Sequence, residues 1–361
     1  KDAEGFPVMK ALILSGGAGT RLRPLTHTSA KQLLPVANKP IIFYGIEAIA
    51  AAGIDEFAII VGDTADDVMK EVGDGARWGV KITYIRQDAP LGLAHAVKIS
   101  KDFMKEDSFI MFLGDNLLKE GIPEFVRKFK TNEPNALILL TKVPNPQQFG
   151  VAELDGSGKV KKLVEKPKQP KTDLALVGVY LFDRNIFKAV ESIKPSQRGE
   201  LEITDAIQWL LDNGYAVEPH MVSGWWKDTG KPEDLIEANK LVLEMIKKDD
   251  IRGRIDDRSS VAGSVLLGKG SEIIESNIKG PVSIGENCRV VKAKIGPFVS
   301  LGENSLIENC TIDNSIIMEE CVIKDVNKKI SSSILGRSVK LCGSCGTHGF
   351  VIGDRSDISL A

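Results

Sequence analysis

The chain has 361 residues, 43% of them hydrophobic and 27% charged, with a formal net charge of −2 at pH 7. That length supports one large core plus a second domain, and the near-neutral balance gives no footprint for nucleic acid. No apolar run approaches the ~18 residues of a membrane span, no signal-peptide pattern opens the chain, and five cysteines between 288 and 345 do not make a secreted disulfide scaffold, so a cytoplasmic protein is expected.

Residues 1–8 read as a leader or cloning remnant, with the native start expected at Met9. An apolar strand, Lys10–Leu14, runs into Leu14-Ser15-Gly16-Gly17-Ala18-Gly19-Thr20-Arg21-Leu22-Arg23-Pro24. Three glycines in four positions let backbone N–H groups turn toward anionic oxygens. Arg21 adds a fixed positive fork suited to phosphate, and Lys31 follows in Lys31-Gln32-Leu33-Leu34-Pro35-Val36. A plain strand-to-helix turn is the alternative; two cations after the glycines favour a triphosphate grip. The spacing excludes a Walker loop, since no Lys-Ser/Thr pair follows, and it departs from the Gly-x-Gly-x-x-Gly dinucleotide fingerprint.

Beyond this loop, strands are expected at 56–61, 81–85, 108–113, 135–141, 151–154 and 175–182. Helices are expected at 41–52, 64–72, 92–103, 121–129, 186–191, 202–213 and 235–245. Nearly continuous apolar strands such as Phe57-Ala58-Ile59-Ile60-Val61 indicate a sheet covered by helices on both faces, hence an α/β, Rossmann-like domain. Gln87 carries amide edges able to read a pyrimidine, and Gly92 permits close approach at a helix start. His95 suits a polar contact near a nucleotide better than catalysis. Asp115, in Gly114-Asp115-Asn116, follows a strand, where a carboxylate can hold Mg²⁺ against a triphosphate or simply cap the next element. Glu165-Lys166 offers either a sugar-phosphate contact or a solvated charged patch. Asp228 is a second candidate carboxylate or a turn starter. The four histidines form no zinc motif, and Cys342-Gly343-Ser344-Cys345 lacks a second cysteine pair.

Residues 247–257 read as a polar connector, after which the pattern changes. Val261, Ile278, Ile295 and Ile312 recur every 17 residues; so do Leu267, Ile284, Leu301 and Met318; Ile273, Val290 and Ile307 form a third series, continued approximately by Ile323. Three apolar sites per unit, too far apart for a helix, indicate a left-handed parallel β-helix over 258–361. The domains expected are therefore 9–246 and 258–361.

In these motifs the chain resembles the sugar-nucleotide pyrophosphorylases, specifically the long-form glucose-1-phosphate thymidylyltransferases. Phe149-Gly150-Val151, Glu165-Lys166-Pro167, Arg198-Gly199-Glu200-Leu201-Glu202 and Asp228-Thr229-Gly230 complete the match over residues 9–361. The resemblance implies transfer from dTTP, or alternatively UTP, to glucose 1-phosphate with Mg²⁺. It gives Leu14, Gly16, Gly17, Gly19, Thr20 and Arg21 to the nucleotide, Gln87 and Gly92 to its base, and Asp115 and Asp228 to the metal. Lys31 and Lys166 would counter phosphate charge, and Asn116, Gly150, Glu165 and Lys166 would position the sugar phosphate. Two departures stand out: His95 replaces a glutamine and Phe149 a tyrosine of the short enzymes. Acetyl transfer by the β-helix is disfavoured because no histidine lies between 221 and 347; a non-catalytic regulator is disfavoured because the candidate charges are intact. A homo-oligomer is expected, a trimer preferred, with Ile274, Ile316 and Val322 offered to a neighbouring subunit.

Overall fold

The computed structural model describes residues 9–119, 121–343 and 349–360. The leader, Ser344, Cys345 and His348 lie outside the described residues. The chain divides into two compact units: the segment through Ala18 with Ile42–Asp228, and Gly19–Ile41 with the chain from Thr229 onward. A linear division at 246 does not anticipate this grouping, because the contacts that tie residues 19–41 to the second unit span more than 200 positions.

In the first unit the strands are β1 (Met9–Ser15), β2 (Glu56–Val61), β3 (Lys81–Arg86), β4 (Ser108–Leu113), β5 (Ala136–Lys142), β6 (Gly150–Leu154), β7 (Val160–Glu165), β8 (Leu174–Phe182) and β9 (Val217–Met221). They form one mixed sheet in the order β7-β6-β8-β4-β1-β2-β3, with β5 also on β8 and β9 on β5. Strands β4, β1, β2 and β3 run parallel, while β8 is antiparallel to β4, β5 and β6. Leu12, Leu14, Ala58, Ile60 and Met111 join a core with Ala94, Val97, Ile203 and Ile207 from the helices. Their strand neighbours Ala11, Ile13, Phe57, Ile59 and Ile110 point the other way and are equally buried. Both faces are thus covered, as the continuous apolar runs require.

Two strands were not legible as such. Val160–Glu165 reads as a charged patch, yet Val160 and Leu163 are buried while Lys161 and Lys162 are exposed. A register shift against β6 between Val160 and Lys162 breaks the simple alternation. Val217–Met221 contains Pro219 and pairs only with β5, at the edge position where proline is tolerated.

In the second unit three parallel sheets build the left-handed β-helix. Val265, Val282 and Val299 stack in register, as do Ile273, Val290 and Ile307, and Ile278, Ile295 and Ile312. Four expectations need correction. The supposed connector already carries solenoid strands, since Asp250–Ile251 pairs with Leu266–Leu267 and Arg254–Ile255 with Glu272–Ile273. Leu301 stands opposite Ile317, not Met318, because the corner after Ile312 is one residue shorter than its predecessor. Val261 stands in register with buried Ile278, as the period requires, but in the first coil it is exposed instead of buried. Ile316, offered above to another subunit, is 1% exposed and already covered within the chain. Cys288, Cys310 and Cys321 are buried free thiols. Burial pushes Cys310 up to about 11 and Cys321 to about 12, which keeps them protonated and unreactive.

Candidate active site

The parallel strands of the first unit leave β1 in two directions: β2 and β3 follow on one side, and β4 joins on the other. The carboxyl ends of β1 and β4 therefore flank a topological switch point, where open α/β sheets collect ligands. Leu14 pairs with Leu113, and Gly114 N–H donates to the Leu14 carbonyl at 2.9 Å, so Gly16 and Asp115 leave adjacent strand ends. Gly17 and Ala18 are exposed beyond them. This places the glycine loop and the first carboxylate at one edge without any reference to motif.

Asp115 and Asp228 are 113 positions apart in sequence, yet Asp228 stands opposite Asn116 in a two-stranded antiparallel ribbon, Asn116–Leu118 with Trp226–Asp228. The fold thus brings the two carboxylate residues to neighbouring positions. Asn116 donates from Nδ2 to Asp115 Oδ1 at 3.0 Å and accepts from Trp226 Nε1 at 2.5 Å. At 1% exposure, and with a Cβ at Gly178 leaving only 2.7 Å to its Oδ1, Asn116 sits behind Asp115. Its geometry favours orienting Asp115 over the sugar contact expected from sequence. Two carboxylates give a hard oxygen donor set, and the described residues hold no group of three or more His, Cys, Asp or Glu able to bind a metal. Such a pair fits Mg²⁺, which keeps waters and shares its shell with substrate phosphates; a dedicated all-protein cage would need more ligands.

Gln87 follows β3, its N–H donating to the Val61 carbonyl at 2.8 Å. Its side-chain Nε2 lies 3.3 Å from the Gly92 carbonyl and 3.0 Å from His95 Nδ1. A carbonyl only accepts, so the amide NH₂ faces Gly92, and His95 Nδ1 must accept as well, leaving its proton on Nε2. Burial, aided by Lys98 and opposed by Asp88, holds the imidazole below its usual range and favours that neutral form. Both amide hydrogens are then engaged, and Oε1 is presented toward Gly16, 3.3 Å from where a Cβ there would stand. Gly92 adopts φ +99, and a Cβ on it would lie 2.4 Å from the Leu201 carbonyl. Packing against Leu201 accounts for this glycine, so its role as a base contact is not needed to explain it.

Glu165 ends β7 opposite Gly150, with Thr204 donating to its Oε2 at 3.2 Å. Arg198 and Lys166 approach its Oε1 at 3.5 and 3.7 Å, and Arg198 also approaches Glu202 at 3.6 Å. Burial raises the Glu165 carboxyl above the usual range, with Glu202 adding to the effect and Lys166, Thr204 and Arg198 opposing it. Glu202 and Thr204 are buried and Glu165 is half-buried, while Arg198 and Lys166 reach them from the exposed side, so the cluster sits at the boundary between core and solvent. Arg198 and Thr204 are the members that sequence reading left unassigned; Arg198 opens the Arg198–Glu202 motif and Thr204 follows it by two residues, but only the fold brings them to Glu165.

Gly19, Arg21 and Lys31 belong to the second unit. Gly19 takes φ +61, with Lys31 Cβ and Thr26 Cγ2 each 3.0 Å from where its own Cβ would be. Thr26 Oγ1 donates to the Gly19 carbonyl at 2.7 Å. Thr20–Leu22 and Lys31–Leu33 are short 3₁₀ turns, Arg21 exposed on the first and Lys31 half-buried at the start of the second. A hairpin, Pro35–Val36 with Lys39–Pro40, follows and closes through Ala37 at φ 49 and Asn38 at φ 63. Two left-handed residues match a type I′ turn, and alanine there costs about 1–2 kcal/mol that surrounding contacts must offset.

The sequence profile of the Nucleotidyl transferase family matches residues 10–245. The chain belongs to the nucleotidyl transferase family. It is 51% identical over 356 residues to a glucose-1-phosphate thymidylyltransferase of Streptomyces griseus, covering 98% of this chain and 100% of that one. It is 48% identical over 362 residues to the low-salt glycan biosynthesis nucleotidyltransferase Agl11 of Haloferax volcanii, again covering 98% and 100%. A Bacillus anthracis structure solved with sucrose, assigned as a glucose-1-phosphate thymidylyltransferase, superposes at a TM-score of 0.62 with 39% identity over 65% of this chain and 95% of its own. This last match extends over about the length of the family profile, whereas the matches to the full-length relatives run on through the solenoid of this chain. Among the described residues, no helix of this nucleotidyl transferase is long and apolar enough to cross a membrane.

Proposed function

We propose that the protein transfers dTMP from dTTP to α-D-glucose 1-phosphate, releasing pyrophosphate and forming dTDP-glucose. The observation that carries this reading is the convergence at the switch point: the glycine loop leaves β1 beside Asp115, and Asp228 is brought opposite Asn116. Full-length similarity to a thymidylyltransferase supports the choice of substrates. In the reaction a phosphate oxygen of the sugar phosphate forms a bond to the α-phosphorus while the bond from that phosphorus to the pyrophosphate oxygen breaks. The nucleophile is already anionic, so no side chain need take a proton, and alignment with charge stabilisation supplies the catalysis.

Asp115 and Asp228 would hold Mg²⁺, which supplies charge neutralisation for the triphosphate when bound. Asn116 fixes one oxygen of Asp115 for that task. Arg21 meets the departing pyrophosphate, and Lys31 and Lys166 offset repulsion between the two anionic substrates. Glu165, tied by Thr204 and Arg198, accepts from sugar hydroxyls across the small Gly150. Gln87 presents Oε1, an acceptor that suits the N3–H of thymine or uracil and is wrong for the unprotonated N3 of cytosine. Initial rates with dTTP, UTP, CTP, GTP and ATP at fixed glucose 1-phosphate test the assignment. The two N3–H pyrimidines should be used, dTTP faster; a preference for UTP would reverse the base assignment, and use of CTP would remove Gln87 as its reader. Self-association through the solenoid flank, on half-buried Ile274 and Val322, is proposed as well, and a monomer by light scattering at micromolar concentration would defeat it.

A further inference from the structure

The three solenoid sheets differ on their outward sides. On two of them the outward positions include exposed Lys279, Arg289, Lys294 and Lys340, the solvated surface a β-helix ordinarily presents. On the third, the stacked outward row Ser283, Ser300, Ile316, Ile334 is 0–5% exposed. What covers it is the chain's own Gly19–Ile41 segment together with the helix Pro232–Glu244. At one end Asn38 donates from Nδ2 to the Ser283 carbonyl at 3.1 Å and the Leu301 carbonyl at 2.9 Å, on neighbouring coils. At the other end Thr28 donates to Asp354 at 2.6 Å, and Pro24 lies 3.1 Å from where a Cβ of Gly353 would be. The segment therefore lies along the sheet from the coil of Ser283 to that of Gly353, a distance of roughly 19 Å at the ordinary strand spacing.

We propose that Asn38 is a positioning residue for nucleotidyl transfer, anchoring the Lys31 segment to the β-helix so that the Lys31 ammonium is set for the reacting phosphates. The proposal rests on the reading of Lys31 given above. Two carbonyls that can only accept fix the Asn38 amide with its NH₂ inward. The same turn is held from its other side, since Ala37 N–H donates to Asn239 Oδ1 at 2.8 Å and Asn239, itself 1% exposed, donates to the Phe298 carbonyl at 3.4 Å. From this clamp to Lys31 the path is short and stiff: Leu33 and Leu34 are buried, and Ile41 N–H closes onto the Leu34 carbonyl at 3.2 Å. The solenoid is in this view a part of the catalytic apparatus through the loop it carries, in addition to any role in assembly.

The test uses the full-length enzyme. Asn38→Gly keeps the left-handed turn and removes the amide; Asn38→Asp keeps the shape and turns an oxygen toward two carbonyls. Each should lower kcat about tenfold, the scale on which misplacing a charge-stabilising group is felt, with KM for dTTP changed less than about threefold. Because Asn38 acts through Lys31, Asn38→Gly should cost less than about twofold when introduced into Lys31→Ala. Unchanged kcat in both Asn38 variants beside a slow Lys31→Ala enzyme would overturn the positioning role alone. The same loss in both backgrounds would show that Asn38 acts otherwise and also overturn it. Normal turnover by Lys31→Ala would remove the reading of Lys31 and this proposal together.

Discussion

The sheet unit and the β-helix use regular structure in opposite ways. In the sheet unit the strands are a scaffold, and the candidate chemistry stands where they stop: Gly16 and Asp115 beyond paired strand ends, Gln87 after β3, Glu165 at the end of β7. In the β-helix the strands repeat with 17-residue registers, the interior is apolar, and its buried cysteines are held protonated. One unit concentrates information at irregular positions that a single substitution can disable. The other spreads it over stacked, near-equivalent coils, one outward face of which is covered by the rest of its own unit.

The sharpest way to break this contrast is to make the same polar change in each unit. Asp115→Asn and Asp228→Asn should each reduce kcat on the order of 100-fold and raise the Mg²⁺ concentration needed for half-maximal rate, with little change in melting temperature. Asp313→Asn in the solenoid, where the carboxylate meets Lys329, should leave the rate within about twofold. Unaltered Mg²⁺ dependence in both of the first variants would remove the paired-carboxylate assignment. Conversely, Ile295→Ala truncates a 2%-exposed side chain stacked between Ile278 and Ile312, and should cost about 2–5 kcal/mol of stability in denaturant unfolding. A loss below about 1 kcal/mol would mean the column is not a cooperative core.

Smaller effects sharpen the picture within the sheet unit. Asn116→Ala frees Asp115 Oδ1 from its orienting hydrogen bond and should slow turnover about tenfold with nearly normal substrate KM. An effect confined to the KM for glucose 1-phosphate would restore Asn116 as a sugar contact. His95 gives a pH signature. Its pKa is held below the unfolded value of about 6.5, so neutral imidazole, and the stability it carries, persists above that value and is lost as pH falls through the folded pKa. Protonated Nδ1 would face the Gln87 NH₂ donor-to-donor, so KM for dTTP should rise roughly two- to tenfold below that range. Dividing by the same profile for His95→Gln cancels titration of the nucleotide itself; a flat ratio would exclude His95 as the residue that orients Gln87.

Much of this was readable in advance, and the parts that were not share a cause. The glycine loop is local, so its residues announce themselves, and the solenoid announces itself by period. Both fail where the decisive partner is remote. Nothing near Asp115 in sequence indicates Asp228, and the ribbon that brings Asp228 opposite Asn116 is three residues long. Nothing near Asn38 indicates Ser283. The period itself broke once, after Ile312, where a shortened corner moved the inward position from Met318 to Ile317 and a longer one before Ile330 restored the average. Such compensating changes leave the buried column intact and displace only the sites between them, since Leu335 and Leu341 fall back on the 17-residue count. Val160–Glu165 was hidden by its bulge, and with it the enclosure of Glu165.

In the proposed reaction the nucleotidyl group is transferred to the sugar phosphate itself. Glucose 1-phosphate carrying ¹⁸O in its non-bridging phosphate oxygens, incubated with dTTP and Mg²⁺, measures it directly by mass spectrometry of the product. One pyrophosphate should be released per dTDP-glucose formed, with every labelled oxygen retained on the sugar-proximal phosphate. Loss of label from that phosphate, or absence of pyrophosphate with dTTP and UTP alike, would contradict it.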